Sequence, residues 1–497
     1  MYILGYDIGS SSIKATLLDD ETGTVKASAT SPATELEIIA KKPGWAEQHP
    51  QIWWDNAKAA TATILSLSGV DKRDIKAIGI SYQMHGLVIV DKKHKVLRPS
   101  IIWCDSRAVE IGEKAFNDIG QETCLRRFLN SPGNFTASKL KWVKENEPDI
   151  YAQVYKAMLP GDYIAMKMSG EIKTTPSGLS EGILWDYETQ DLAETVLEHY
   201  GISADKIADV VPTFSVQGEL TRNAAEEMGL DPGTKISYRA GDQPNNALSL
   251  NVLNPGEIAA TAGTSGVVYS VTNKAVYDSL SRVNPFVHVN YTPETPRYGV
   301  LLCINGTGIL NSWLKHNVMN KSTTYETMNE LAAQAPAGSD GLCILPFGNG
   351  AERTLANVDL GASFDGLQFN THRRQHYLRA AQEGIVFALN YGLDITRDMG
   401  IEVTKVMAGN ANMFLSPLFR EVFATVTKTS VELYDTDGSQ GAARGAGIGA
   451  GIYKRHIDAF VGLKTTEVID PKEDLLKIYS EIYQKWLSIL KSQLHRR

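Results

Sequence analysis

The chain has 497 residues, more than one hydrophobic core usually supports, so two or three domains and a cleft between them are expected. Its formal net charge of −8 argues against nucleic acid or an anionic membrane as a partner, because both would require a positive surface. The first residues lack the features of a signal peptide, no stretch could span a bilayer, and the four cysteines show no C-x-x-C spacing. These features predict a cytoplasmic protein in a reducing compartment.

The chain opens with a predicted β-hairpin, in which strands at residues 2–7 and 13–18 flank a turn rich in glycine and serine. A second hairpin of similar dimensions follows at 257–272, with its turn at 262–266. One internal repeat of this size predicts two duplicated domains.

Between and after the hairpins, strands alternate with helices, and this alternation predicts an α/β protein. We expect the two domains to comprise residues 1–246 and 247–497. The predicted strands lie at 75–81 and 236–240, and the predicted helices at 137–147, 189–200, 309–316, 324–334, 377–399 and 472–494. The last helix is amphipathic and is expected to pack on the outside of the protein.

The first candidate site is the turn of the opening hairpin, formed by Gly9, Ser10, Ser11 and Ser12, with Lys14 two residues further on. Glycine lets backbone N–H groups point inward and the hydroxyls add donors, so the turn suits phosphate oxygens. Asp7 would repel a phosphate unless a divalent cation lay between them, which indicates Mg²⁺. An ordinary hairpin turn is the alternative.

The second hairpin repeats this turn with Gly263, Thr264 and Ser265, but Thr261 stands where the first has Asp7. Two such turns could hold one polyphosphate from both sides, while a single carboxylate is enough to place a metal ion. The alternative is that the two turns are unrelated.

Asp242 lies where a predicted strand ends and a helix begins, with Pro244 in the first helical turn. A carboxylate at this place could simply cap the helix. It could also accept a proton from a substrate hydroxyl as a general base.

Two further segments carry side chains suited to a sugar. His85 follows a predicted buried strand and can hydrogen-bond hydroxyl groups, and Trp103 offers an aromatic face next to the charged Asp105. The alternative is that His85 and Trp103 are core residues.

Three common motifs are excluded or dismissed. Residues 178–182 match the nucleophile elbow G-x-S-x-G but are predicted to form a loop, because no buried strand precedes them. Residues 445–450 match a dinucleotide fingerprint, yet the small residues around them indicate a close-packed helix. No G-x-x-x-x-G-K-[ST] loop is present, which excludes a P-loop kinase.

The segments GYDIGSSSIKA, GWAEQHPQIWWD, YQMHGLVIVD, WCDSR, AGDQPNNA and TAGTSG occur here in an order that resembles the FGGY family of carbohydrate kinases. The resemblance extends over nearly the whole chain, including 136–146 with Lys139 and Trp142. It implies two actin-like, ribonuclease H-like ATPase domains with a cleft between them. It also implies a small-molecule sugar and ATP as substrates.

The resemblance further implies residue roles. Asp242 would be the catalytic base, Asp7 and Asp242 would position Mg²⁺, and Met84, His85, Trp103 and Asp105 would contact the sugar. The residues expected to contact the nucleotide are Gly9, Ser10, Ser11, Ser12, Lys14, Gly263, Thr264, Ser265, Gly306, Gly409, Asn410 and Asn412. The adenine segment departs from the family, because 407–412 lacks the usual run of glycines.

Within the family, the sequence Gln83-Met84-His85-Gly86 favours D-xylulose as the sugar. Gluconate kinases resemble it at Met-His but usually continue with serine. Kinases for D-gluconate, D-ribulose or another pentulose remain alternatives, as does an actin-like switch ATPase that needs no sugar. A homodimer is left open.

Overall fold

The computed structural model describes residues 1–320 and 322–496. The strands of the first half are β1 (Tyr2–Ile8), β2 (Ile13–Asp19), β3 (Val25–Ser31), β4 (Glu47–Gln48), β5 (Ile75–Tyr82), β6 (Val88–Val90), β7 (Ser100–Ile101), β8 (Lys156–Met158), β9 (Lys173–Thr174), β10 (Trp185–Asp186), β11 (Asp191–Leu192), β12 (Asp209–Val210), β13 (Phe214–Glu219) and β14 (Lys235–Gly241). Those of the second half are β15 (Glu257–Ala262), β16 (Gly266–Thr272), β17 (Asn284–Val287), β18 (Tyr298–Ile304), β19 (Cys343–Phe347), β20 (Gly361–Asp365), β21 (Lys405–Gly409), β22 (Val431–Tyr434) and β23 (Thr465–Ile469).

The helices of the first half are α1 (Pro50–Ser68), α2 (Val109–Ile119), α3 (Gln121–Phe128), α4 (Thr136–Asn146), α5 (Pro148–Tyr151), α6 (Pro160–Ser169), α7 (Pro176–Glu181), α8 (Glu194–Tyr200), α9 (Arg222–Met228) and α10 (Asp242–Ser249). Those of the second half are α11 (Gly308–Asn317), α12 (Tyr325–Ala333), α13 (Arg374–Asp398), α14 (Pro417–Thr427), α15 (Gly438–Gly449) and α16 (Leu476–Leu494).

The two halves are built on sheets of the same topology. The first sheet has the order β13-β14-β5-β1-β2-β3 and the second β17-β18-β16-β15-β21-β22-β23. In the first sheet, β1, β2 and β3 form an antiparallel meander, and β5 and β14 run parallel to β1. In the second sheet, β15, β16 and β18 form the matching meander, and β21 and β22 run parallel to β15. The duplication expected from the two hairpins, and the α/β actin-like architecture, are therefore confirmed.

A helix from each half crosses to the sheet of the other half. Helix α15 packs its alanines on the first sheet, where Ala442 and Ala446 share an apolar cluster with Ile3 and Tyr238. Helix α10 precedes the second sheet and packs beneath it through Ala247. The predicted division between residues 246 and 247 lies within α10. The crossing joins the two domains at the base of the cleft between them.

The crossing of α15 depends on small residues on both sides. A methyl group added to Gly5 would overlap the backbone of Ser439 and Ala443, and one added to Gly79 would overlap the carbonyl oxygen of Ala442. On the helix, Gly449 lies equally close to the first sheet. Residues 445–450 are therefore a close-packed helix, as predicted, and not a dinucleotide-binding loop.

Two sequence predictions need correction. Residues 178–182 are not a loop, because α7 extends through Glu181 and Ser180 is buried, with its hydroxyl donating to the carbonyl oxygen of Ser177. The helix predicted from residue 189 begins only at Glu194, since β11 pairs with β10 just before it.

The C-terminal helix confirms its predicted position. Helix α16 buries Tyr479, Tyr483 and Trp486 against the core of the second domain and leaves its other face exposed. Within the part of the chain that the structure describes, no helix is both long and apolar enough to cross a membrane.

The tight contact at Gly5 predicts a large effect of one methyl group. In Gly5→Ala we expect the free energy of unfolding to fall by about 1–3 kcal/mol or more, because the overlapped atoms belong to the backbone and cannot rotate away. Urea unfolding measures this change. The control is Gly348→Ala, whose methyl group would approach no atom closer than 3.3 Å. Equal stability of the two variants would contradict the packing argument.

Candidate active site

Two carboxylates meet at one edge of the first sheet. Strands β1, β5 and β14 are parallel and in register at Asp7, Ser81 and Ala240, so their carboxyl ends share this edge. The Ser81 hydroxyl donates to Asp7 Oδ1 over 3.0 Å. Asp242 follows Ala240 by two residues and opens α10, with Gly241 as the N-cap residue. The side chain of Asp242 is thus presented beside that of Asp7.

Both carboxyl groups have raised pKa values. Burial raises the pKa of Asp242 to about 7, and the negative charge of Asp7 adds to this effect. Burial also raises the pKa of Asp7, with a further contribution from Asp437, while Lys14 and the bond from Ser81 oppose the shift. An acid with a pKa near neutrality in a cleft is suited to take up a proton during a reaction.

Asp437 is a site residue that sequence reasoning missed. Its Oδ1 accepts bonds from the backbone N–H groups of Ser439 and Gln440 at the start of α15, and its Oδ2 accepts one from Lys14 Nζ over 2.8 Å. Lys14 thus links the first hairpin to α15. The next residue, Gly438, lies so close to Asp7 that a side chain there would meet the Asp7 carboxylate. The sequence signal that could have identified Asp437 is an aspartate followed by a glycine, directly before the small residues of α15.

The turn of the first hairpin is held from the side of the first domain. Its backbone closes through Gly9 N–H, which donates to the carbonyl oxygen of Ser12 over 3.0 Å. Gln48 Nε2 donates to the carbonyl oxygen of Ser10 over 2.7 Å, and Trp103 Nε1 donates to Ser10 Oγ over 3.2 Å. Ser11 remains exposed. Trp103 is 47% exposed, so it has a free aromatic surface beside the turn.

The second turn rests on the start of α11. The carbonyl oxygens of Gly263 and Thr264 accept bonds from the backbone N–H groups of Gly308 and Ile309 over 2.8 and 3.3 Å. Ser265 Oγ reaches Asn305 Oδ1 over 3.5 Å. Position 306, between Asn305 and the start of α11, has to be glycine, because any side chain there would overlap the carbonyl oxygen of Pro346.

A cavity of about 1080 Å³ opens from the second turn into the second domain. Of the predicted nucleotide residues, Gly263, Thr264 and Asn412 line it. Asn412 has a left-handed backbone with φ of 55°, which asparagine tolerates better than most residues. The other predicted nucleotide residues do not line this cavity: Ser265, Gly306, Gly409 and Asn410 of the second domain, and Gly9, Ser10, Ser11, Ser12 and Lys14 of the first hairpin.

The remaining wall of the cavity was not foreseen from sequence. It includes Tyr325 and Asn329 from α12, Ile309 from α11, Pro417 at the start of α14 and Leu415 from the turn before that helix. Apolar side chains with a few amides suit the flat face and polar edge of a nucleotide base. No local motif marks these residues, because they come together only through the packing of three helices.

His85 is held in a strained and neutral state. Its φ is 59°, which is uncommon for a residue other than glycine. Its ring lies edge-on to Phe135 at 4.7 Å, and Nδ1 lies 2.8 Å from the carbonyl oxygen of Glu181. Burial lowers the pKa of His85 to about 3, and Lys139 and Arg353 add to the shift. With its proton on Nδ1, the ring presents Nε2 as an acceptor for a hydroxyl group.

A buried lysine holds this histidine loop and the tryptophan loop together. Lys139 is fully buried, and its Nζ donates to the carbonyl oxygens of His85 and Ile102 over 2.9 and 3.0 Å. Burial lowers the pKa of Lys139 to about 7. Lys139 thereby fixes the distance between the loop that carries His85 and the loop that carries Trp103.

Asp105 is placed differently from its predicted role. It is fully buried, Oδ2 accepts a bond from the backbone N–H of Ala46 over 2.6 Å, and both oxygens are paired with Arg107. Arg107 is in turn stacked on Trp45, 3.8 Å from the ring centroid. This arrangement favours support of the tryptophan loop over contact with a sugar.

Two more residues lie at the predicted sugar site. Met84 is 5% exposed and packs against Gly241, the residue before Asp242. Glu181 is buried behind them, where its Oε1 accepts a bond from the Tyr82 hydroxyl over 2.6 Å. Burial raises the pKa of Glu181 well above its usual range, and Asp242 contributes. Sequence reasoning missed Glu181 because it assigned its segment to a loop.

The comparisons with known proteins agree with this arrangement. The models of the FGGY family of carbohydrate kinases match residues 2–249 (N-terminal domain) and 258–452 (C-terminal domain). A xylulose kinase of Bacillus subtilis (strain 168) is 30% identical over 461 residues, covering 91% of this chain and 89% of that protein. Xylulose kinase from Rhodospirillum rubrum has a similar structure, with a TM-score of 0.89 and 26% identity over 100% of this chain and 99% of the other.

A gluconate kinase from Lactobacillus acidophilus also matches, with a TM-score of 0.89 over 99% of this chain and 98% of the other. At 22% identity this likeness shows the fold alone. The two family models together span most of the sequence, from the first hairpin to the end of α15. The chain therefore belongs to the FGGY family of carbohydrate kinases and is a carbohydrate kinase that uses ATP.

Proposed function

We propose that the protein transfers the γ-phosphoryl group of ATP to D-xylulose, giving D-xylulose 5-phosphate and ADP, with Asp242 as the general base. The observation that carries this proposal is the position of Asp242, a carboxyl group with a pKa of about 7. It lies beside Asp7, with the sugar-side residues Met84 and His85 on the same domain. Relatives named xylulose kinase support the choice of sugar.

In the proposed reaction the primary hydroxyl oxygen of the sugar attacks the γ-phosphorus of ATP. A new O–P bond forms, the bond from the γ-phosphorus to the bridging oxygen breaks, and ADP leaves with that electron pair. Asp242 takes the hydroxyl proton. Phosphoryl transfer depends mostly on positioning and charge neutralisation, so a closed cleft that excludes water is needed more than further chemical groups.

The residues at the sheet edge fit a magnesium ion. Asp7, Asp242 and Asp437 bring negative charge together, and the positive charge of Lys14 offsets part of it by lowering the pKa of Asp7. Asp7 and Asp242 would hold the ion, which prefers one or two carboxylates and keeps several waters. When bound, it would neutralise charge on the phosphates.

The sugar side is suited to a neutral ketose. His85 Nε2 can accept a bond from a hydroxyl, and Trp103 offers a face for the carbon skeleton. The nearby carboxyl group of Asp242 would repel the carboxylate of gluconate when ionised. This argues for D-xylulose over D-gluconate, although Lys139 and Arg353 act in the opposite direction.

The first prediction concerns Asp242→Asn. We expect turnover to fall by at least ~10²-fold, because an amide cannot accept the hydroxyl proton, while nucleotide affinity is retained. Steady-state kinetics and nucleotide titration measure the two quantities. Asp209→Asn, at an exposed carboxylate paired with Lys156, is the control and should behave as the wild type. Turnover near normal in Asp242→Asn would remove this residue from the base role.

The pH dependence gives an independent check. Because the carboxylate form of Asp242 is the active base, kcat/KM should fall about tenfold per pH unit below its pKa of about 7 and level off above it. Profiles measured at constant ionic strength, with sugar and magnesium nucleotide both well below saturation so that kcat/KM reports the free enzyme, test this. A profile that stays flat down to about pH 5, two units below that pKa, would show that no such group controls the reaction.

Substrate choice is tested by a panel of D-xylulose, D-ribulose and D-gluconate. We expect the highest kcat/KM with D-xylulose and no appreciable ADP release without sugar. The highest kcat/KM with D-gluconate would assign the protein to that sugar acid. Equal ADP release with and without sugar would instead indicate a switch ATPase.

A further inference from the structure

An arginine of the second domain reaches the sugar side of the first domain. Arg353 lies in the 3₁₀ turn Glu352–Leu355, yet its Nη2 approaches the carbonyl oxygen of Ser131 at 3.4 Å. Its guanidinium group lies over the ring of Phe135, 5.0 Å from the centroid. Nη1 donates to Ser281 Oγ of its own domain over 3.1 Å. The side chain therefore spans the cleft between the domains.

The first domain is shaped to receive this side chain. Gly133 has a φ of 41°, in the region that favours glycine, and any side chain there would overlap the Arg353 guanidinium group. The contact of a cation with an aromatic face acts only over a short distance, so it is lost when the two surfaces separate by a few ångströms. The contact with Arg353 thus depends on the relative position of the two domains.

At the predicted sugar site, Arg353 is linked to His85 through Phe135. Phe135 contacts both residues, because the Arg353 guanidinium group lies over its ring and its centroid is 4.7 Å from that of the His85 ring. Phe286, also from the second domain, lies 5.5 Å from the same ring. The positive charge of Arg353 further favours the neutral form of His85, whose Nε2 is then free to accept.

On the nucleotide side, the segment that carries Arg353 is fixed to the second turn. The neighbouring Thr354 hydroxyl donates to the carbonyl oxygen of Cys303 in β18 over 3.3 Å. Strand β18 ends at Ile304 and leads through Gly306 to α11, whose first N–H bonds to Gly263. A continuous set of contacts therefore runs from the phosphate turn to Arg353 and then to His85.

We propose that Arg353 is a positioning residue that couples nucleotide binding to sugar binding. A nucleotide that holds the second turn near the first domain would stabilise the contact of Arg353 with Gly133 and Phe135 seen in the structure, and Phe135 would then hold the His85 ring in place for the sugar. The sugar favours the same seated state, so each substrate raises the affinity for the other. This role presupposes the sugar phosphorylation proposed above.

The test is the affinity for D-xylulose with and without a non-hydrolysable ATP analogue and magnesium, measured by calorimetry. In the wild type we expect the analogue to raise sugar affinity at least about 5-fold, the lower end of typical coupling between sites. In Arg353→Met the increase should disappear, while sugar affinity without analogue changes little. Arg353→Lys keeps a cation over Phe135 and should restore part of the coupling.

Controls separate coupling from loss of structure. Arg420→Met removes an arginine paired with Glu467 on the second domain and should retain the full coupling. Gly133→Ala, which displaces the guanidinium group from the other side, should lose it as Arg353→Met does. The melting temperatures of all variants verify that they are folded.

The outcomes are distinguishable from failure of the proposed function. Wild-type protein that phosphorylates D-xylulose, together with undiminished coupling in Arg353→Met and Gly133→Ala, would overturn the role of Arg353. Absence of coupling in an active wild type would overturn it as well. Absence of D-xylulose phosphorylation by the wild type would instead count against the proposed function.

Discussion

The contact on which the rest of the structure depends is the backbone-to-backbone packing of α15 on the first sheet. Because Gly5 and Gly79 carry no side chains, the helix lies against the strands at a distance that no other residue would permit. The beginning of α15 therefore comes to lie beside the carboxyl end of β1. There Asp437 bonds to Lys14, and Gly438 contacts Asp7. One packing contact thus joins the domains and assembles the carboxylates of the candidate site.

In the protein without ligand, the close approach of these carboxylates lowers the stability of the folded state. Burial raises the pKa values of Asp7 and Asp242, with added repulsion from Asp437 on Asp7 and from Asp7 on Asp242, which indicates that their charged forms are destabilised. A magnesium nucleotide would relieve this repulsion. Such an arrangement favours binding and proton transfer over stability, as is common at sites where chemistry takes place.

At the predicted sugar site, the backbone conformation of His85 also lowers the stability of the protein while it places the ring. The left-handed backbone of His85 costs on the order of 1–3 kcal/mol. It is maintained by the buried ammonium group of Lys139 at its carbonyl oxygen and by the carbonyl oxygen of Glu181 at its ring. The loops predicted to contact substrate are therefore held by buried groups, such as the Lys139 ammonium group.

The sequence by itself determined the two hairpins, the α/β class, the family and the residues at the strand ends, such as Asp7, His85 and Asp242. These follow from local patterns, because a strand that ends in a glycine-rich turn or a helix start is encoded within about ten residues. Only the tertiary structure decided the pairing of Lys14 with Asp437, the burial of Asp105 and the cavity wall at Tyr325 and Leu415. These contacts join residues far apart in the chain, and their side chains are placed by the packing of helices and domains, which no local pattern records.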